Sequence, residues 1–328
     1  GDDGLVKYAS HNTPRFDHNP TTGESLGLLI EESSTNQVSY SNSGSGLDAA
    51  PYYGNWNASP YTDNFAVAPD GTTTAWKMSP NSPSASRVKR ISVTAGNTYT
   101  FSVWLKKDPA VSVSDGVWNY FGYLIAWSQN GSTVTGATTQ VLVPGSSASQ
   151  ELTTEWRRFS VSYTAPANMT SMEFGLSNRN SGSGNPGYSV FVWGAQLEEG
   201  SFASSHIPTN GSTVTRAQDN AKITGTNFTD FYNETEGTLY SEFSTKVNTG
   251  TTSKWVVSIR NSVNNNNYIA QSTYGSNNVA LSVQSGGSNV AYVSSTGTIS
   301  VDQFRKVAGS FKLNDFDGAD NGLLLSGD

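Results

Sequence analysis

Thr98-Tyr99-Thr100-Phe101-Ser102-Val103-Trp104-Leu105-Lys106 decides the fold class. Tyr99, Phe101, Val103 and Leu105 alternate with Thr100, Ser102, Trp104 and Lys106. A period of two places one set on each face of a β-strand. The same alternation recurs outward along the chain. Arg157, Phe159, Val161 and Tyr163 form a core-facing set against Trp156, Arg158, Ser160 and Ser162. Val190, Val192 and Gly194 alternate with Phe191, Trp193 and Ala195, and Leu239, Ser241 and Phe243 with Tyr240 and Glu242. These runs are short and sit between clusters of Gly, Ser, Asn and Pro, with almost no helical spacing. The pattern predicts an all-β chain built of β-sandwiches or jelly rolls.

Composition narrows the chemistry. The chain has 328 residues, no Cys, three His, 32 Gly and a formal charge of −7. Without Cys there is no thiol catalysis, disulfide, zinc ribbon or iron–sulfur cluster. Three His leave little for a His-rich metal site or a Ser-His-Asp hydrolase. A pI near 5.0 argues against a nucleic-acid face, which needs a basic stripe. No apolar run approaches the ~18 residues that cross a bilayer, so no membrane insertion is expected. Gly1-Asp2-Asp3 at the start and the apolar residues 323–325 near the end read as cut ends of a longer polypeptide.

Four regions separate. Residues 1–55 carry few strand signals beyond Leu28-Leu29-Ile30 and read as an extended arm or attachment segment that packs on neighbours. Residues 56–200 form a first β-domain with seven of the eight Trp, 201–225 a polar linker, and 226–328 a second β-domain.

Residues 14–20 (Pro14-Arg15-Phe16-Asp17-His18-Asn19-Pro20), then Gly23-Glu24-Ser25-Leu26-Gly27-Leu28-Leu29-Ile30-Glu31-Glu32, resemble a segment of bacteriophage tail and fibre proteins. Residues 94–106 resemble the early strands of the carbohydrate-binding-module-like jelly roll that follows it there. Phe191-Val192-Trp193-Gly194-Ala195-Gln196-Leu197-Glu198-Glu199-Gly200 is similar to that module's closing strand. Residues 231–240 and 305–316 resemble parts of a concanavalin A-like (laminin G-like) lectin domain. The resemblance implies an N-terminal arm, a jelly roll, and a second concanavalin A-like sandwich that looks truncated. It also implies a non-enzymatic virion component, exposed on the particle surface as part of a phage tail or a capsid-attached appendage. Its partners would be other virion proteins, itself as a homotrimer, and a host cell-surface glycan. A purely structural decoration or adaptor protein is the alternative. A tailspike depolymerase, whose catalytic domain would lie outside these residues, is a third reading.

Candidate sites follow from chemistry. Sugar-binding sandwiches set aromatic faces against apolar sugar faces, with polar side chains around them. Alternation along residues 117–127 puts Trp118 and Tyr120 on one face and Phe121, Tyr123 and Trp127 on the other. Trp118 and Tyr120, with Arg179 lining the same groove, are the expected glycan contacts; both aromatic sets buried between sheets is the alternative. Glu31-Glu32 and Glu198-Glu199 are neighbours in extended chain, point to opposite faces, and form no acid–base dyad. Asp315, Asp317 and Asp320 form the dense oxygen cluster that could hold Ca²⁺. The same Asp-Gly and Asn-Gly pairs are ordinary turn residues. Arg87-Val88-Lys89-Arg90 reads as a solvated strand edge, with contact to an acidic neighbour as the alternative.

Overall fold

The computed structural model describes residues 1–47, 58–79, 81, 86–110, 123–130, 133–134, 139–142, 152–177, 189–246, 253–261, 265–274, 278–295 and 299–326. It is all-β, as the alternation requires. The chain forms two compact units, Gly1–Ala221 and Lys222–Asp328. Among the described residues no helix is long and apolar enough to cross a membrane.

The first unit carries β1 (Phe16–His18), β2 (Ser25–Leu28), β3 (Ser34–Asn36), β4 (Tyr61–Ala66), β5 (Ala75–Met78), β6 (Ser86–Ser92) and β7 (Thr98–Lys107). It continues with β8 (Tyr123–Asn130), β9 (Thr133–Val134), β10 (Thr139–Leu142), β11 (Arg157–Thr164), β12 (Ser171–Ser177), β13 (Val190–Glu199) and β14 (Val214–Arg216). A back sheet runs in the order β11-β7-β13-β5-β4, and a front sheet in the order β10-β8-β12-β6, with β9 on β8. Strands β5 to β8 alternate between the sheets, as do β11 to β13, which is jelly-roll connectivity. The core lies between them. Tyr99, Phe101, Val103, Leu105, Phe159, Val161, Trp76 and Met78 come from the back sheet, and Met172, Phe174 and Leu176 from the front.

One phase shift departs from the sequence pattern. In β13 the alternation that starts at Val190 does not persist: Val190, Val192, Ala195 and Leu197 all join the core, while Trp193 joins a separate cluster on the outer face. The cause is a bulge between Trp193 and Gln196, where Gly194 takes φ 65°. A Cβ on Gly194 would come within 2.7 Å of the Trp104 ring, so glycine is required there on both counts.

The segments that flank the sandwich in sequence pack on its own back sheet. β3 pairs with β14, a bridge joins Tyr40 to Asn210, and Val38 and Leu47 are fully buried in the core. Asn36 ties these pieces together: its side chain donates to the carbonyls of Ala195 and Ile207 and accepts from the amides of Val38 and Leu197.

Arg87 is a correction. It is not solvated but 8% exposed, on the core-side register of β6 opposite Leu176. Its guanidinium donates to the carbonyls of Ser59, Gly44 and Leu47 at 2.7, 2.8 and 3.1 Å and lies 4.0 Å from the Tyr61 ring. The edge strand is thereby pinned to the chain that precedes it.

Among its described residues the second unit carries α1 (Thr226–Thr229) and eight strands: β15 (Glu236–Phe243), β16 (Lys254–Arg260), β17 (Tyr268–Tyr274), β18 (Asn278–Ser285), β19 (Ser288–Ser294), β20 (Arg305–Lys312), β21 (Asp315–Asp320) and β22 (Leu323–Leu324). They form two sheets, β15-β20-β21-β22 and β16-β17-β18-β19. Gln271 links them, donating to the Leu239 carbonyl and accepting from Ser241.

Candidate functional site

The outer faces of the first sandwich differ. The back sheet's outer face bears Trp104, Trp193, Arg158, Gln196 and Glu198, and the flanking segments cover it. The His206 ring lies tilted 4.6 Å from that of Trp193 and edge-on 5.6 Å from that of Trp104, and its Nδ1 meets the Tyr8 hydroxyl at 2.9 Å. Arg158 lies 4.3 Å from the Trp104 ring and donates to the Ser204 carbonyl and the Ser102 hydroxyl. Glu198 accepts from Ser34, Gln196 and Ser204. Nearby, Glu31 takes Arg15 at 2.6 Å, Arg216 at 3.1 Å and the Ser205 amide at 2.8 Å, while Arg15 also bonds Asp219. Burial alone would raise the Glu31 pKa; the Ser205 and Arg15 hydrogen bonds and the Arg216 charge outweigh it and hold the carboxyl below its usual value. Glu198, expected from sequence to sit apart from Glu199, is a buried strut here.

Burial, with the Arg158 charge adding to it, pushes the His206 pKa down to about 3. The unfolded chain takes up a proton near pH 6.5 and the folded one does not, so stability is whole above 6.5 and falls as pH drops toward 3. The slope from this one group reaches about 1.4 kcal/mol per pH unit. Denaturant titrations read by Trp fluorescence at pH 7.5 and 4.5 should show this acid loss in the wild type and a shallower one in His206→Gln. Equal slopes would contradict the assignment.

The front sheet's outer face has a different chemistry. Met172, Phe174 and Leu176 of β12 point to the core, so Ser171, Glu173 and Gly175 occupy the other face. Register brings Arg90 of β6 and Trp127 of β8 to either side of Glu173. Tyr123 stands opposite Ser177 and Ile125 opposite Gly175. Arg90 donates through Nε, at 2.7 Å, and through Nη2 to the same oxygen, Glu173 Oε1. The Glu173 side chain is 3% exposed and that of Arg90 34%, so the guanidinium is the accessible half of the pair. A guanidinium held on a carboxylate has a set orientation. Gly175 contributes no side chain to the middle of the row; a Cβ would lie 2.1 Å from the Arg87 carbonyl oxygen. An aromatic position beside an oriented cation is part of a sugar-binding face; Gly175 and the Val88 opposite it are buried, so the exposed part of the row lies at Arg90.

The residues singled out by sequence are placed as follows. Trp118, Tyr120 and Arg179 lie outside the described residues. Tyr123 and Trp127, which alternation opposed to Trp118 and Tyr120, hold register positions on the face away from Met172, Phe174 and Leu176. Asp315 and Asp317 lie on β21 opposite Lys312 and Ser310 and are exposed. Asp320 is buried on the other face, its carboxylate taken by the Arg305 fork. The three are thus not brought together, because the segment is a strand of a hairpin rather than a loop. Among the described residues no group of three His, Asp or Glu could hold a metal. The Arg90–Glu173 pair went unread because its members are 83 residues apart and only strand pairing joins them.

No protein-family model matches the chain, and no curated protein does. Weak likenesses exist among solved structures. The CBM22-1–GH10 modules of Clostridium thermocellum xylanase 10B, complexed with xylohexaose, share 14% identity at a TM-score of 0.31, over 45% of this chain and 26% of that one. A CBM4 structure shares 16% at 0.27, over 39% and 72%. The enzymatically active domain of bacteriophage CBA120 tailspike protein 4 shares 10% at 0.30, over 52% and 20%. The chain thus spans about a quarter of the xylanase structure. At these TM-scores the likenesses assign neither family nor ligand to this chain.

Proposed function

We propose that this chain is a non-catalytic glycan-binding component of a phage virion, and that the outer face of its front sheet is the binding surface. The observation that carries the reading is the row across β8, β12 and β6: an aromatic position, a buried carboxylate and a partly exposed arginine side chain in direct register. Sugar would bind across the β8 positions held by Trp127 and Tyr123, beside the partly exposed Arg90 side chain. The order of arm, jelly roll and second sandwich resembles phage tail and fibre proteins, which supports a place on the particle surface. A homotrimeric appendage with many copies per virion would turn weak single sites into firm attachment. The test is a glycan array and a host-cell binding assay with the whole chain and its Trp127→Ala variant. Binding by the wild type that the folded variant loses supports the reading. A wild type that binds nothing in either assay leaves a structural virion protein instead.

A further inference from the structure

The flanking segments cover only part of the back sheet. Val6 packs on the cluster of Ala75 and Trp193 with Trp104 and Trp156, and the Tyr8–His206 pair lies on the same rings. One step further along the strands a second row crosses the sheet. Lys106 stands opposite Phe191, and Phe191 opposite Lys77. Trp156 precedes Arg157, the partner of Leu105, and so falls beside Lys106. Phe65, in the bulge of edge strand β4, closes the row 5.6 Å from Phe191. Aromatic and ammonium groups therefore alternate over five strands, a span of roughly 19 Å at the usual strand spacing.

The row is fixed rather than loose. Trp156 Nε1 donates to the Val67 carbonyl at 3.0 Å, which sets the plane of its ring. The Lys77 amine sits 4.8 Å from the Phe65 ring and 2.7 Å from Asp108, which Ser189 and the Ala110 amide also bind. Lys77 is thereby occupied. Lys106, 6.0 Å from the Trp156 ring, has no carboxylate partner among the described residues. Phe65 is 48% exposed and Val67 60%.

We infer that this row is a second binding face, distinct from the front sheet, and that its ligand is an anionic polysaccharide. Apolar sugar faces lie on Phe65 and Trp156, and a carboxylate or sulfate of the same polymer meets Lys106. Charge complementarity selects the class: on a chain of net charge −7, an acidic polymer is repelled elsewhere and is met by a cation set between aromatic plates here.

Affinity electrophoresis of the whole chain through gels containing polygalacturonate, dextran sulfate or neutral dextran tests this. Retardation is expected in one or both acidic gels and not in dextran, and which acidic gel retards it distinguishes carboxylate from sulfate. Lys106→Gln with Phe65→Ala should weaken the retention at least tenfold with an unchanged melting temperature, and each single substitution should weaken it in part. Trp127→Ala should retain it. The inference is overturned if neither acidic polymer retards the wild type, if the double variant is retained equally, or if Trp127→Ala abolishes retention, which would put the polymer on the front sheet.

Discussion

Replacing Arg87 by Met should destabilise the first unit by about 3–5 kcal/mol. Methionine keeps the stem's volume and removes the donors, leaving three buried carbonyl acceptors (Ser59, Gly44 and Leu47) without the guanidinium. Each buried polar group deprived of its partner costs ~1–3 kcal/mol. The desolvated contact with the Tyr61 ring, 4.0 Å away, adds up to about 2 kcal/mol. For a unit of this size the midpoint should fall by roughly 10 °C. Arg87→Lys, which restores a charge but not the fork, should recover only part of the loss. Calorimetry resolves the question, because seven of the eight Trp lie in this unit and Trp fluorescence assigns the transition that moves. A change under ~1 kcal/mol for Arg87→Met would show that the carbonyls find other partners. The residue matters for function too: β6 is an edge strand, and Arg90, three residues on, presents its guanidinium from that strand.

Trp127→Ala should weaken glycan binding about 30-fold per site. A central aromatic in an interface commonly contributes ~2 kcal/mol or more on truncation, and 1.4 kcal/mol is a factor of ten. On a multivalent particle the loss would compound across sites, so cell attachment should fall more steeply than single-site affinity. Glu173→Gln should weaken binding less directly. Both Arg90 nitrogens bond one oxygen, Oε1, and a neutral amide oxygen accepts them more weakly than a carboxylate, so the guanidinium is held less firmly. Titration calorimetry with an oligosaccharide that scores on the array measures both variants. Unchanged affinity in Trp127→Ala would remove the front sheet from the account.

Much of the fold was legible locally. Alternation at 156–163 put Phe159 and Val161 in the core, where they lie, and that at 98–106 set Phe101 and Val103 on one face, which is the core face. What alternation could not foresee was the bulge at Gly194, since a single positive-φ glycine inverts the phase of everything after it. Arg87 misled for a different reason. Arg in a charged run on a strand reads as solvated, and the three carbonyls that bury it come from chain 28 to 43 residues away. The candidate site was least legible. Trp127 was visible as an aromatic, but its face is fixed by pairing with β12, which depends on sheet order and not on local sequence. Asp320 looked like a cation ligand until its hairpin partner Arg305 was known.

The central claim is that the front sheet binds glycan, and amide chemical-shift mapping tests it most directly. The oligosaccharide with the highest array signal is titrated into the isotope-labelled chain. The account predicts saturable shifts in residues 86–92, 123–130 and 171–177, with the Arg90 side chain among them. Shifts confined to other strands, or none under conditions where the array reports binding, would contradict it.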